Sequence, residues 1–230
     1  MTGFLQHISS LLSEFGPLLL QSTWQTLYMV LISSAIAYLL GIPLGIIEVI
    51  TAPDSIRPNR TINEVLGWII NIGRSIPFII LLIALIPFTR SMVGTSIGPT
   101  ATIVPLTIAA TPFAARMIEQ SLTEIDKGVV EMAQAMGATA WQIIWKVLLP
   151  EGLPSIVRGL SITIISLIGY SAMAGAVGGG GLGDLSIRYG YYRYQSDVMI
   201  VTIILIVIIV QIIQVIGNWL TKRIDKRNTR

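Results

Sequence analysis

The chain has no cysteine and a single histidine, His7, among its 230 residues. Without thiols it can form neither a disulfide nor a thiolate metal site. It has no Gly-x-x-x-x-Gly-Lys-Ser/Thr phosphate loop, so it cannot hydrolyse ATP by that route. It also lacks a His-Glu-x-x-His pattern, and His7 precedes the first apolar run, which argues against a metalloprotease or a Ser-His protease. We therefore predict no catalytic residue, no metal site and no cofactor in this chain.

Charged side chains are scarce as well. They make up 12% of the chain, whereas hydrophobic residues make up 53%. Soluble domains contain about 25% charged residues, and the mean hydropathy here is +0.76. This composition predicts an integral membrane protein that forms one domain over residues 1–230. The first 17 residues contain no Lys or Arg, so we expect no cleavable signal peptide and a retained first helix.

Five segments are apolar enough to cross a bilayer, which takes about 20 residues. They cover residues 18–47, 65–88, 99–115, 155–177 and 198–220. With the N-terminus outside, the cytoplasmic side collects Arg57, Arg60, Arg116, Lys127, Lys146, Arg158, Lys222, Arg223, Lys226, Arg227 and Arg230, and the outer side collects Arg90, Arg188 and Arg193. Because cytoplasmic loops carry the Lys and Arg excess, we predict an all-α protein with five transmembrane helices, its N-terminus outside and its C-terminus inside.

A polar interruption at residues 119–150 separates the third span from the fourth. Asp126 is a predicted N-cap, Gly137 a predicted helix end, and Thr139 with Gln142 a predicted capping box for a second short helix. Pro150 is predicted to stop that second helix. We expect two short helices at the cytoplasmic face of the membrane.

These two helices carry an apolar patch that favours a docking surface over an ordinary amphipathic loop. Small residues allow a partner to approach closely, and methionines fill irregular gaps. Glu131 is predicted to bond backbone N–H groups or a basic residue of the partner, with a merely solvated carboxylate as the alternative. The patch consists of Val129, Val130, Met132, Ala133, Ala135 and Met136.

Two features within the spans have more than one interpretation. The glycines at 178–183 predict that the fourth span unwinds near its outer end, either to line a path or gate or to allow a close helix contact such as Ala172 to Ala176. Arg74 is costly within a span. We expect it to bond carbonyls freed by Pro77, with substrate contact as the alternative.

Tyrosines and arginines flank the last span. Tyr189, Tyr191, Tyr192 and Tyr194 are typical of an interfacial belt, although they could also contact an external protein. The basic tail at residues 222–230 indicates contact with anionic lipid.

The polar interruption resembles the cytoplasmic coupling loop of ABC importer permeases. That loop has the pattern Glu-Ala-Ala, three residues, Gly, nine residues, Ile, one residue, Leu-Pro. Met132 and Val147 depart from it, and both stay apolar. The resemblance implies a type I importer permease fold whose cytoplasmic coupling helix docks on a separate ATPase. The implied ATPase-coupling residues are Glu131, Met132, Ala133, Ala135, Met136, Gly137, Ala138, Leu149 and Pro150.

Five further stretches are similar to the D- and L-methionine uptake permeases. They are residues 74–82, 86–90, 94–98, 103–107 and 169–173. The resemblance implies a homodimer in the bacterial inner membrane, with ATP and Mg on two ATP-binding subunits and methionine delivered by an extracytoplasmic lipoprotein. It implies no nucleic-acid partner. It places a gate at Met173, with Gly169, Tyr170 and Ser171 beside it, whereas the residue type alone favours a packing or lipid-facing methionine.

The predicted function is therefore ATP-driven import of methionine by alternating access, with no bond chemistry in this chain. Alternatives are a permease for another amino acid or small sulfur-containing metabolite, a self-sufficient channel or secondary transporter with residues 178–183 as its filter, and a membrane scaffold. Apart from Arg74, no charge lies clearly at mid-membrane, which disfavours an ion-coupled carrier.

Overall fold

The computed structural model describes residues 2–225 and the side chains of residues 13–225. The side chain of His7 and the predicted inner cations Lys226, Arg227 and Arg230 lie outside the described residues. The described chain contains helices and no β-strand. The α-helices are α1 (Thr2–Thr51), α2 (Arg60–Ser75), α3 (Phe78–Ala84), α4 (Ile86–Val93), α5 (Pro99–Thr123), α6 (Lys127–Ala135), α7 (Ala140–Ile143), α8 (Leu149–Gly175), α9 (Gly181–Leu185) and α10 (Ser196–Ile224). Two π-helical segments lie at Ile144–Leu148 and Ser186–Tyr191.

Within these residues, four helical stretches are long and apolar enough to cross a membrane: Ser13–Thr51, Pro99–Thr123, Ala140–Gly175 and Ser196–Ile224. A fifth crossing exists if α2 and α3 count as one broken span. The break lies at Ile76, which is extended with ψ of 122°, because the following proline ring disfavours the α conformation. The predicted 65–88 span is thus divided among α2, α3 and α4.

Internal contacts divide the chain into two compact units. The first consists of Met1–Ser33, Phe78–Thr107 and Ile164–Ile212, and the second of Ser34–Pro77, Ile108–Thr163 and Ile213–Arg230. In the first unit a buried apolar cluster forms around Phe15, Leu19, Leu185 and Val198. The single domain over residues 1–230 stays a prediction.

In the second unit, α1 and α5 pack closely through small residues. A Cβ atom at Gly45 would lie 2.7 Å from the carbonyl oxygen of Ala115, and one at Gly41 would lie 2.8 Å from the Cβ of Ala114. Helices in membranes associate through such small residues, because van der Waals packing replaces the hydrophobic effect between them. This crossing places the ends of α1 and α5 beside each other.

Candidate functional site

The predicted caps of both short helices are confirmed. Asp126 Oδ1 accepts a hydrogen bond of 2.7 Å from the backbone N–H of Gly128 at the start of α6. Thr139 Oγ1 accepts one of 3.3 Å from the N–H of Gln142, and Gln142 Oε1 accepts one of 2.8 Å from the N–H of Thr139. These bonds satisfy N–H groups that the helix starts would otherwise leave unpaired.

Gly137 ends α6 as predicted. The helix stops at Ala135, and Gly137 has a φ of +78°, in the left-handed region. Its N–H donates to Gln134 O at 2.9 Å, and the N–H of Ala138 donates to Ala133 O at 3.1 Å. This pair of bonds is the Schellman motif, which requires a left-handed residue where the chain leaves the helix. Gly137 therefore sets the angle at which the chain enters the second helix.

The prediction that Pro150 stops the second helix is wrong. Helix α7 passes through the π-helical segment Ile144–Leu148 into α8, and the stretch Ala140–Gly175 is helical throughout. The N–H of Leu149 donates to the carbonyl of Ile144, five residues back. Pro150 is then the second residue of α8 and directly follows the π-helical segment. The second short helix and the fourth span thus form one continuous helical stretch.

The predicted docking patch is partly exposed. Met132 on α6 is 58% exposed, and Met136, the C-cap residue of that helix, is 76% exposed. They present a soft, adaptable surface around the turn at Gly137. The exposed members of the predicted coupling set also include Glu131, Ala135, Gly137 and Pro150; Ala138 and Leu149 are half-buried with Val129 and Val130, and Ala133 is buried.

Glu131 lines a cavity of about 440 Å³ within the second unit. In the part of the chain that the structure describes, its carboxylate accepts no hydrogen bond and forms no ion pair. The predicted bond from Glu131 to nearby backbone N–H groups is therefore not seen there. Its predicted contact with a basic residue of a partner stays a prediction.

The same cavity contains a charged cluster that the sequence did not reveal. Arg116 Nη1 lies 3.4 Å from Glu48 Oε1 and 3.3 Å from Glu119 Oε2. Glu48 is buried, and its backbone carbonyl accepts a hydrogen bond of 2.7 Å from Asn63 Nδ2. A Cβ atom at Gly67 would lie 3.2 Å from Glu48 Oε1. The cluster thus joins the end of α1 to α2 and to the last turns of α5, directly before the two short helices.

Of the four residues predicted at the gate, two share an exposed face of α8. Met173 is 51% exposed, and Gly169, one turn earlier, has no atom within 4 Å of where a Cβ would lie. Ser171 is buried, and its hydroxyl donates to Ile168 O at 2.8 Å. Tyr170 stacks on Phe78, with ring centroids 4.8 Å apart. Gly169 and Met173 therefore share the exposed face, whereas Ser171 is buried and Tyr170 is half-buried.

The glycine segment after α8 is partly irregular, as predicted, but its backbone is bound rather than open. Helix α8 ends at Gly175 and α9 begins at Gly181, so a helix forms over part of the stretch for which none was expected. The N–H groups of Gly181 and Leu182 each donate over 2.9 Å to the side chains of Gln25 and Thr26. These bonds hold the segment against α1 within the first unit.

Arg74 lies in the last turn of α2, where its charge suits the negative end of the helix dipole. Its side chain is exposed. Within the described residues it makes no hydrogen bond, so the predicted bonds to carbonyls freed by Pro77 are not seen. Pro77 itself is exposed at the break between α2 and α3. The roles of both residues stay predictions.

In the predicted outer cluster, one arginine lies over a tyrosine ring and another pairs with an aspartate. The guanidinium of Arg193 lies 4.5 Å from the ring centroid of Tyr189, and that of Arg188 pairs with Asp184 at 2.6 Å. Tyr191, Tyr192 and Tyr194 are exposed. The exposed rings are available to an interfacial belt or to an external partner.

Comparisons with known proteins identify the family to which the chain belongs. The family of binding-protein-dependent transport system inner membrane components matches residues 37–230. The probable D-methionine transport system permease protein of Vibrio cholerae is 56% identical over 210 residues, which cover 91% of this chain and 93% of that protein. The D-methionine transport system permease protein of Escherichia coli K12 is 51% identical over 158 residues, covering 69% and 73%.

Solved structures of ABC transporters are similar to this chain as well. A chain of the inward-facing MetNI methionine ABC transporter superposes with a TM-score of 0.91 at 47% identity, over 93% of this chain and 99% of that chain. A chain of an amino acid ABC transporter with histidines, at 19% identity and a TM-score of 0.76 over 92% and 96% of the two chains, shows the fold alone. The type I importer permease fold is therefore confirmed. The chain belongs to the binding-protein-dependent transport system inner membrane components, in the group that contains the D-methionine transport system permease proteins, and is a multi-pass permease subunit rather than an enzyme.

Proposed function

We propose that this chain is the membrane subunit of an ATP-driven importer that moves methionine, in its D and L forms, into the cytoplasm. The observation that carries the proposal is the capped helix pair at residues 127–143, which exposes methionines and continues without a break into α8. A force applied to such a surface reaches a membrane span directly. The substrate follows from the D-methionine permeases and the methionine ABC transporter to which the chain is similar.

The complex would contain two copies of this chain and two ATP-binding subunits that hold ATP and Mg. Each ATPase would receive the exposed methionines and the turn at Gly137, and nucleotide-driven closure would move α8. The charged cluster at Glu48, Arg116 and Glu119 would keep the ends of α1, α2 and α5 together during that movement. An extracytoplasmic lipoprotein would deliver methionine, with the exposed tyrosines Tyr191, Tyr192 and Tyr194 as a contact surface.

The test is uptake of labelled methionine into liposomes that contain this chain, its ATPase partner and its binding protein. We expect uptake to require all three proteins and ATP, and to be competed by unlabelled D- and L-methionine. ATP turnover without methionine uptake would reject the substrate and retain the permease. Uptake without the ATPase would reject the mechanism in favour of a channel or secondary transporter.

We also propose that Met173 closes the path, with Gly169 beside it. Apolar constrictions gate by excluding water. Met173→Ala removes most of the apolar side chain from the constriction. Because a barrier lower by about 1.4 kcal/mol speeds passage tenfold, the leak of labelled methionine without ATP should rise roughly tenfold. Met173→Leu should keep the leak low because it preserves the side-chain volume.

The control for this prediction is Met92→Ala, which truncates another exposed methionine in the first unit. It should leave the leak at the wild-type rate. A leak that rises equally in both alanine variants would indicate general loosening and would contradict a gate at Met173.

A further inference from the structure

Helix α2 has three faces with different surroundings. One face is packed: Ile70 is buried, and a Cβ atom at Gly73 would lie 2.9 Å from Pro112 Cγ of α5. The second face is exposed and apolar, as expected for lipid contact, and comprises Ile62, Val65, Trp68, Ile69 and Ile72. The third, which we name the polar face of α2, is exposed and comprises Arg60, Glu64, Asn71, Arg74 and Ser75.

Two side chains of the polar face have no bonding partner within the described residues. Arg60 Nε donates to Glu64 Oε1 at 2.6 Å, so these two charges pair with each other. The hydroxyl of Ser75 donates to the backbone carbonyl of Asn71 at 2.7 Å. The amide of Asn71 and the guanidinium of Arg74 make no hydrogen bond or ion pair in this part of the chain. The charge of Glu48 is close enough to act on that of Arg74, but the two side chains form no ion pair within the described residues.

The predicted topology, with Arg60 at the cytoplasmic end, puts both unpaired groups at membrane depth. Along an α-helix, Asn71 and Arg74 are about 17 Å and about 21 Å beyond Arg60. The hydrocarbon core of a bilayer is about 30 Å thick, so both residues fall within it. Polar groups at this depth face water, a cavity or a protein partner rather than lipid.

We propose that the polar face of α2 lines the aqueous path of the permease and that Arg74 contacts the carboxylate of the amino acid in transit. The second part rests on the proposed function, because it takes a zwitterion such as methionine as the cargo. A guanidinium presents paired N–H donors that match the two oxygens of a carboxylate. Arg74 remains free to do so, whereas Arg60 is held by Glu64. Asn71, one turn earlier on the same face, supplies a neutral hydrogen-bonding group.

The first test uses the absence of cysteine from the chain. Asn71→Cys is compared with Ile69→Cys and Ile72→Cys, which occupy the same depth on the lipid face and are 56% and 42% exposed. The reagent is a charged, membrane-impermeant methanethiosulfonate, applied to the complete complex in membrane vesicles. It requires a thiolate, which forms in water, so the cysteine at 71 should react roughly tenfold faster or more.

Millimolar methionine is expected to slow that reaction. Equal, slow reaction at all three positions would overturn the assignment of the polar face to an aqueous path. A disulfide between the two copies through the cysteine at 71 would also overturn it, because the face would then belong to the contact between copies.

The second test measures methionine uptake by Arg74 variants in the reconstituted complex. Arg74→Gln should raise the KM for methionine roughly tenfold, since it loses a charged donor, and Arg74→Lys should fall between that variant and the wild type. Arg57→Gln, which removes a charge from the loop before α2, should leave the KM unchanged. An unaltered KM in Arg74→Gln would overturn the carboxylate contact.

The two tests separate this inference from the proposed function. Failure of the wild-type complex to take up methionine would reject the substrate, while cysteine reactivity at position 71 would still report on the path. Normal methionine uptake together with an unreactive cysteine at position 71 would reject the path assignment and leave the function standing.

Discussion

Gly137→Val is expected to abolish most ATP-driven uptake while the spans remain inserted. Gly137 has a φ of +78°, a conformation that costs an L-residue roughly 1–2 kcal/mol and a β-branched residue more. No atom lies within 4 Å of the position a Cβ would take, so the effect arises from the backbone rather than from a clash. The turn between α6 and α7 would reshape and move Met132 and Met136 out of register with the ATPase.

A cost of this size shifts the population of the native turn about five- to thirty-fold, and uptake should fall by a similar factor. The measurement is methionine uptake per ATP hydrolysed in the reconstituted complex, together with co-purification of the ATPase. Membrane insertion is checked by protease protection of the loops.

Two variants serve as controls for Gly137→Val. Gly94 has a φ of +83° and equally open space around it, so Gly94→Val introduces the same kind of strain far from the coupling residues in sequence. It should leave coupling intact. Gly137→Asn should retain most activity, because Asn tolerates the left-handed conformation. Normal coupling in Gly137→Val would contradict the role assigned to this turn.

The local parts of the candidate site could be predicted from the sequence because they depend on neighbours a few residues apart. Asp126, Gly137, Thr139 and Gln142 act on backbone groups within four positions, and their bonds appear as expected. Pro150 failed as a stop signal for a related reason. Its effect depends on the helical turn before it, and here a π-helical turn at Ile144–Leu148 directly precedes α8, so the chain stays helical through the proline.

The charged cluster could not be found in the same way. Glu48 and Arg116 are 68 positions apart in sequence, and nothing in either segment specifies the other. They meet because Gly41 and Gly45 let α1 approach α5. The available signal was that Glu48 follows a charge-free run and must find compensation, but any of several loop cations could have supplied it.

The glycine segment at residues 178–183 had two interpretations that the sequence alone left open. The number of glycines predicted irregular backbone, but it could not separate a gate from a close packing contact. The structure favours packing. Gly183 is buried. The segment's backbone is bound by Gln25 and Thr26 of α1 and by Thr102 of α5, whose hydroxyl lies 3.2 Å from Gly179 O.

Gly183→Ala is therefore expected to destabilise the permease rather than to alter its path. A Cβ atom at Gly183 would lie 2.8 Å from the carbonyl carbon of Ala172 and closer still to its Cα and carbonyl oxygen. Backbone atoms cannot rotate away as a side chain does, so α9 would have to separate from the end of α8. Overpacking of this kind costs about 1–3 kcal/mol, which for a chain of this length lowers the Tm by roughly 2–12 °C.

The comparison that decides between the two interpretations is Gly169→Ala, on the exposed face of α8. That Cβ would meet no atom within 4 Å, and alanine is the better helix former, so the Tm in detergent should stay level or rise. If the glycine segment instead lines the path, Gly183→Ala would change methionine uptake without lowering the Tm. A fall in Tm confined to Gly183→Ala would assign the segment to packing and leave Gly169 and Met173 as the exposed face of α8 available for a gate.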